Sequence, residues 1–140
     1  MTTRLRERAV IERFKDLVKA LFPGSFVWKF HQGPMAGTGF PDLLLILEGS
    51  SVYLEAKRFR GRLTSIQEKI LYNMKNAGGR CGVLRGGDDQ QELILAPWRT
   101  DIEYVLDLHD DSKEELMDKI RGFVHDCDPS EQELEDSGVD

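Results

Sequence analysis

The chain has 140 residues, 40% of them apolar and 31% charged, with a formal net charge of −6. That composition suits one globular domain whose core needs no disulfide or metal staple. No stretch approaches the roughly 18 apolar residues of a membrane span, and Met1-Thr2-Thr3-Arg4 leads into charged residues rather than a signal peptide, so no membrane partner is expected.

The acidity is uneven. Residues 1–109 carry 16 Lys and Arg against 13 Asp and Glu, whereas residues 110–140 carry 3 against 12. A mildly basic body thus bears an acidic C-terminal appendage, and the total charge does not exclude a nucleic-acid partner. Cys81 and Cys127 lie far apart without metal-ligand neighbours and read as free thiols of a reducing cytoplasm.

Residues 4–21 read as a helix, because Val10, Phe14, Leu17 and Leu21 form one apolar stripe. Glu7 falls on the same stripe, where a carboxylate is costly unless paired or bound to metal. Alternatively, Glu7 belongs to the first helical turn and favours the helix dipole. Phe22-Pro23-Gly24-Ser25 ends the helix. Phe26 to His31 then alternates as a strand, with Phe26, Trp28 and Phe30 on a face expected to be core. Lys29 and His31 project from the other face as phosphate contacts or as solvated charge. Residues 32–40 contain Gly33, Pro34, Gly37 and Gly39 and read as a mobile loop.

The central stretch follows. Gly39-Phe40-Pro41-Asp42 is a turn signal running into the apolar strand Leu43-Leu44-Leu45-Ile46-Leu47. Glu48-Gly49-Ser50-Ser51 closes a hairpin onto Val52-Tyr53-Leu54-Glu55-Ala56-Lys57. In that strand Glu55 and Lys57 share one face, roughly 6.6 Å apart. The hairpin brings Asp42 beside them. Two carboxylates and an ammonium that converge can hold a hard divalent cation beside a phosphate. Arg58, Arg60 and Arg62 follow at once and suit backbone phosphates.

Thr64 opens a helix to about Ala77. Gln67 either closes a capping box with Thr64 or faces the sheet beside the acidic cluster. Residues 80–85 and 92–96 read as strands. Thr100-x-x-Glu103 reads as the cap of a short helix through Leu106, and Ser112-x-x-Glu115 as the cap of another, with Leu116, Ile120, Phe123 and Val124 as its apolar stripe. The domain is expected over 1–109, with a packed helix over 110–126 and an acidic, disordered tail over 127–140.

The order Gly39-Phe40-Pro41-Asp42, strand, hairpin, Glu55-Ala56-Lys57, basic loop and a helix carrying Gln67 resembles the PD-(D/E)XK nuclease superfamily. Within it, Trp28-Lys29-Phe30-His31-Gln32-Gly33, Gly61-Arg62-Leu63-Thr64-Ser65-Ile66-Gln67 and Ala77-Gly78-Gly79 are similar to the short, stand-alone, phage-type members of the VRR-NUC family, over about residues 5–95. The resemblance implies an α/β fold with a restriction-endonuclease-like core, a mixed sheet of about four or five strands flanked by helices. It implies a Mg²⁺- or Mn²⁺-dependent DNA endonuclease of a bacterial or phage-infected cell. Asp42, Glu55, the main-chain carbonyl of Ala56 and Glu7 would serve the metal, and Lys57 and Gln67 would complete the catalytic set. Lys29, His31, Arg58, Arg60 and Arg62 would contact DNA. Stand-alone relatives look like homodimeric resolvases of branched DNA such as four-way (Holliday) junctions. The expected dimer interface is the apolar face of the 112–124 helix or the aromatic strand 26–30. A non-catalytic DNA-binding module and a tRNA-splicing, repair or restriction-type nuclease with the same core are the alternatives.

Overall fold

The computed structural model describes residues 4–31 and 39–129. The loop reading for residues 32–38 and the tail reading for 130–140 lie outside the described residues. No helix among the described residues is long and apolar enough to cross a membrane.

Among the described residues nine elements follow one another: α1 (Glu7–Leu21), β1 (Phe26–Lys29), β2 (Leu43–Leu47), β3 (Ser50–Lys57), α2 (Ser65–Asn76), β4 (Cys81–Gly86), β5 (Glu92–Pro97), β6 (Tyr104–Asp107) and α3 (Lys113–Asp126). The strands form one six-stranded sheet in sequence order. All neighbours are antiparallel except β3 and β4, which are parallel and joined through α2. The mixed α/β architecture expected from the sequence is present, with six strands rather than four or five.

The sixth strand is a correction. Tyr104 to Asp107, assigned above to a short helix, pairs with β5. Thr100 does not cap a helix: its hydroxyl accepts from the Ile102 N–H at 3.2 Å and donates to the Pro97 carbonyl at 2.9 Å, which makes a turn. Tyr104 and Val105 are aromatic and β-branched residues that favour a pleated surface, and Leu106 is fully buried under α3. Tertiary pairing overrides the local cap signal.

The two sheet faces are covered unequally. Helices α1 and α3 pack on one face, where Val10, Phe14, Val18, Ile120 and Phe123 meet Leu43, Leu45, Val52, Leu54, Leu84 and Leu95. On the other face α2 lies over β4, and Leu71 packs with Cys81, Val83 and Trp98. Nothing described covers β1 and β2 on that side. Phe26 and Trp28 are therefore 48% and 54% exposed, not core. Alternation assigned them correctly to one face but could not say which face would be covered.

The apolar stripe of α3 is buried, so it is not free to form an interface. The core also continues past the expected boundary at residue 126, since Cys127 is buried among the same residues. Both thiols are free and buried, and burial pushes that of Cys81 up to about 11.

Candidate active site

The hairpin of β2 and β3 turns through Glu48 and Gly49 with φ of 49° and 87°, the primed geometry that matches strand twist. Its register pairs Leu43 with Leu54, so the next step sets Asp42 opposite Glu55. The backbone fixes Asp42 from both sides. Its carbonyl accepts from the Phe30 N–H at 2.9 Å, and its Oδ2 accepts from the Ala56 N–H at 2.9 Å.

Glu55 points to the α2 side of β3 and is buried, as is Lys57 two residues on. Its Oε1 accepts from Gln67 Nε2 at 3.2 Å. Its Oε2 is fully buried and has no hydrogen-bond partner among the described residues. Burial above all, then the Asp42 carboxylate, pushes the Glu55 carboxyl up to about 9, with Glu7 adding to the rise and Lys57 opposing it. A buried carboxyl with one orphaned oxygen, beside a second carboxylate, is costly for the protein alone. A divalent cation would satisfy that oxygen and reverse the repulsion, so the residues present fit a metal. Among the described residues no three His, Cys, Asp or Glu side chains cluster as a self-sufficient ligand set. Asp42 and Glu55 thus leave coordination positions for main-chain oxygen, water and substrate.

Gln67 fulfils both of its sequence readings at once. Thr64 caps α2, and the Gln67 Oε1 accepts the Thr64 N–H at 2.9 Å while the Gln67 N–H donates to Thr64 Oγ1 at 3.2 Å. The remaining end of the amide is the donor that holds Glu55. One side chain locks the helix start to the carboxylate.

Gly39 enables this approach. It has φ of +85°, and a Cβ there would stand 3.1 Å from the Gln67 nitrogen and 2.7 Å from Ile66 Cγ2. Gly39→Ala should therefore strain the backbone and push α2 from Glu55. The expected loss of any metal-dependent activity is about a hundredfold for a displacement near one ångström, with the chain still folded by circular dichroism. Unchanged activity would show that the Gln67 contact does not matter.

The other residues singled out in the sequence fall at different distances from this centre. Glu7 is exposed in the first turn of α1, near enough to bear on Glu55 electrostatically but without a direct hydrogen bond to it. Arg58, Arg60 and Arg62 are exposed beyond the end of β3, and Arg60 holds φ of 62° with its guanidinium over the Phe59 ring. Lys29 pairs with Leu43, whose side chain faces the α1 core. It therefore projects from the face opposite Glu55. His31 is exposed past the end of β1.

Two features escaped sequence reasoning. Arg85 pairs with Lys57 across the parallel ladder and lies on the same face, its Nε donating to the Gly61 carbonyl at 3.2 Å. Burial lowers its pKa. The available signal was a cation in phase with Cys81 and Val83 on the α2 side of β4, but only the register places it beside Lys57. The second feature is an aromatic wall. Phe30, Phe40 and Tyr53 contact one another with centroids 5.2 to 6.2 Å apart, next to Asp42 and Glu55 in chain and register.

No family model matches the chain, and no curated protein matches it. Among solved structures it is similar to Hjc, a Holliday junction resolvase from the archaeal hyperthermophile Archaeoglobus fulgidus, at 17% identity. The match covers 69% of this chain and 87% of that one, with a TM-score of 0.45. A likeness at that level carries no argument about the site, which stands on its own geometry.

Proposed function

We propose that the chain is a divalent-metal-dependent endonuclease that hydrolyses phosphodiester bonds in DNA. The observation that carries this reading is the buried Glu55 carboxyl, orphaned at Oε2 and facing Asp42, Lys57 and a run of exposed arginines. Asp42 and Glu55 would hold Mg²⁺ or Mn²⁺, with the Ala56 carbonyl as the VRR-NUC resemblance implies. When bound, such an ion polarises the scissile phosphate and acidifies a water.

The protein's own side chains do the rest. Gln67 fixes the Glu55 rotamer. Lys57 orients the attacking water and offsets charge that accumulates on the phosphate, and Arg85 beside it adds to that field. Arg58, Arg60 and Arg62 grip flanking phosphates without reading sequence. Glu7 supplies further negative charge to the centre from α1.

The test is to incubate the pure chain with linear, flap and four-way-junction DNA. Mg²⁺ and Mn²⁺ should support cutting. Ca²⁺, larger and looser in geometry, should bind without supporting it. Excess EDTA should stop the reaction, and activity undiminished in EDTA would exclude the mechanism.

Preference for branched DNA is the finer part of the proposal. Resolving a junction takes two symmetric cuts, and a two-fold dimer presents two equivalent sites. With α3 buried, the surface that favours a dimer is β1. It is an edge strand whose exposed Phe26 and Trp28 rings lie parallel at 6.1 Å, an arrangement that seeks a partner. Light scattering should give twice the 16.0 kDa chain mass, and Phe26→Ser with Trp28→Ser should halve it. A monomer at high micromolar concentration, cutting linear and junction DNA equally, would refute this part.

A further inference from the structure

On the far flank of α2 from Gly39 lies an open groove of about 480 Å³, lined by Ser65, Glu68, Lys69, Tyr72, Trp98 and Arg99. The four helical residues recur at the spacing of one helix face. Trp98 and Arg99 come from the turn after β5. Tyr72 and Trp98 meet edge to face at 6.4 Å. The Arg99 guanidinium stands 5.6 Å from the Tyr72 ring and 5.5 Å from that of Trp98, and Lys75 reaches the Trp98 ring at 5.9 Å.

Three properties point to one class of occupant. First, Tyr72 is 47% exposed and Arg99 is exposed, so a flat group can stack on either plane. Second, among the described residues neither Lys69 nor Arg99 forms an ion pair, which leaves two cations against the single carboxylate of Glu68 on the rim for an anionic chain. Third, Arg99 is held at φ of 62°, a conformation that disfavours any residue with a Cβ. The turn keeps its guanidinium against the rings at that cost.

From these we infer that the groove binds an unpaired nucleotide of the substrate. A base stacks on Tyr72 and Arg99, and its flanking phosphates lie against Lys69 and Arg99. The inference rests on the nuclease reading and extends it. Tyr72 lies five residues from Gln67, about 7.5 Å of helix rise and roughly 140° round the axis, so a strand that leaves the catalytic centre and passes round α2 reaches the groove within a few nucleotides. Stacking uses the π-face that every base has, so the groove distinguishes unpaired from paired strands rather than one sequence from another. Specificity for branched or frayed DNA would then arise within one protomer, independently of dimerisation.

The experiment measures affinity of the full chain for a fluorescent single-stranded oligonucleotide and for a blunt duplex, in Ca²⁺. Tyr72→Ala should weaken single-strand binding about tenfold and leave duplex binding within twofold, while Tyr72→Phe keeps both. Arg99→Asn, which tolerates the left-handed backbone, should weaken single-strand binding and flatten its salt dependence. Equal single-strand affinity in wild type and Tyr72→Ala, or an equal loss for both DNA forms, overturns the inference. If the same wild-type preparation still cuts DNA with Mn²⁺, the nuclease reading survives that result and only the groove's role in DNA binding falls. If wild type binds neither DNA form, both readings fall.

Discussion

Glu55→Gln is expected to abolish cutting while it stabilises the metal-free protein. The substitution keeps volume and leaves one oxygen to accept from Gln67. It puts an amide N–H₂ where the orphaned Oε2 stands, and that group can donate to the Asp42 carboxylate. With its pKa raised to about 9 by burial and by Asp42, the wild-type carboxyl must hold a proton in the metal-free fold at neutral pH that the unfolded chain does not bind, a cost to stability that the neutral amide does not carry. In EDTA at neutral pH the variant should therefore melt several degrees above wild type. Its loss of metal affinity removes several kcal/mol of transition-state stabilisation, which at about 1.4 kcal/mol per decade means a rate lower by about 10³. Excess Mn²⁺ should raise the melting temperature of wild type but not of the variant. Opposite signs for stability and activity mark a residue kept for function. A variant that is both inactive and less stable would assign Glu55 to the fold instead.

The second large effect is expected at Lys57. Lys57→Met keeps the stem and removes the ammonium, so the packing beside Gly61 survives and the field at the phosphate does not. A positioned charge or proton-transfer group contributes about 10²–10⁴ in rate, and cutting should fall by that factor. Mn²⁺ binding should persist, because the carboxylates remain and a repelling cation has left. DNA affinity should change little if, as proposed, the exposed Arg58, Arg60 and Arg62 make most of the phosphate contacts. Loss of Mn²⁺ binding in Lys57→Met would place the ammonium in the structure of the metal centre rather than in the reaction.

The centre of the molecule was legible because its signals are local. Period-two alternation put Glu55 and Lys57 on one face, the short hairpin returned Asp42 to them, and the capping-box spacing located both the start of α2 and Gln67. Residues whose placement depends on distant coverage were harder to read. Phe26 and Trp28 alternate as a core face would, yet α2 crosses to β4 and leaves them exposed. Glu7 matches the inward stripe of α1 by helical spacing, but it stands in the first turn, where the side chain is exposed. Lys29 alternates correctly and still faces away from Glu55, because its pairing with Leu43 commits it to the α1 side. Arg85 needed the parallel register of β3 and β4, which no spacing within β4 encodes. At Thr100 a polar residue three positions before a Glu satisfied the pattern of a helix cap, and the free edge of β5 claimed the segment as β6.

The proposed metal centre is tested most directly by titrating Mn²⁺ calorimetrically into wild type, Asp42→Asn and Glu55→Gln, with DNA cutting followed over the same ion concentrations. Ion binding and cutting should rise together in wild type and should both be absent from the two variants. Wild-type cutting rates in Glu55→Gln, or cutting in wild type without measurable ion binding, would contradict the account.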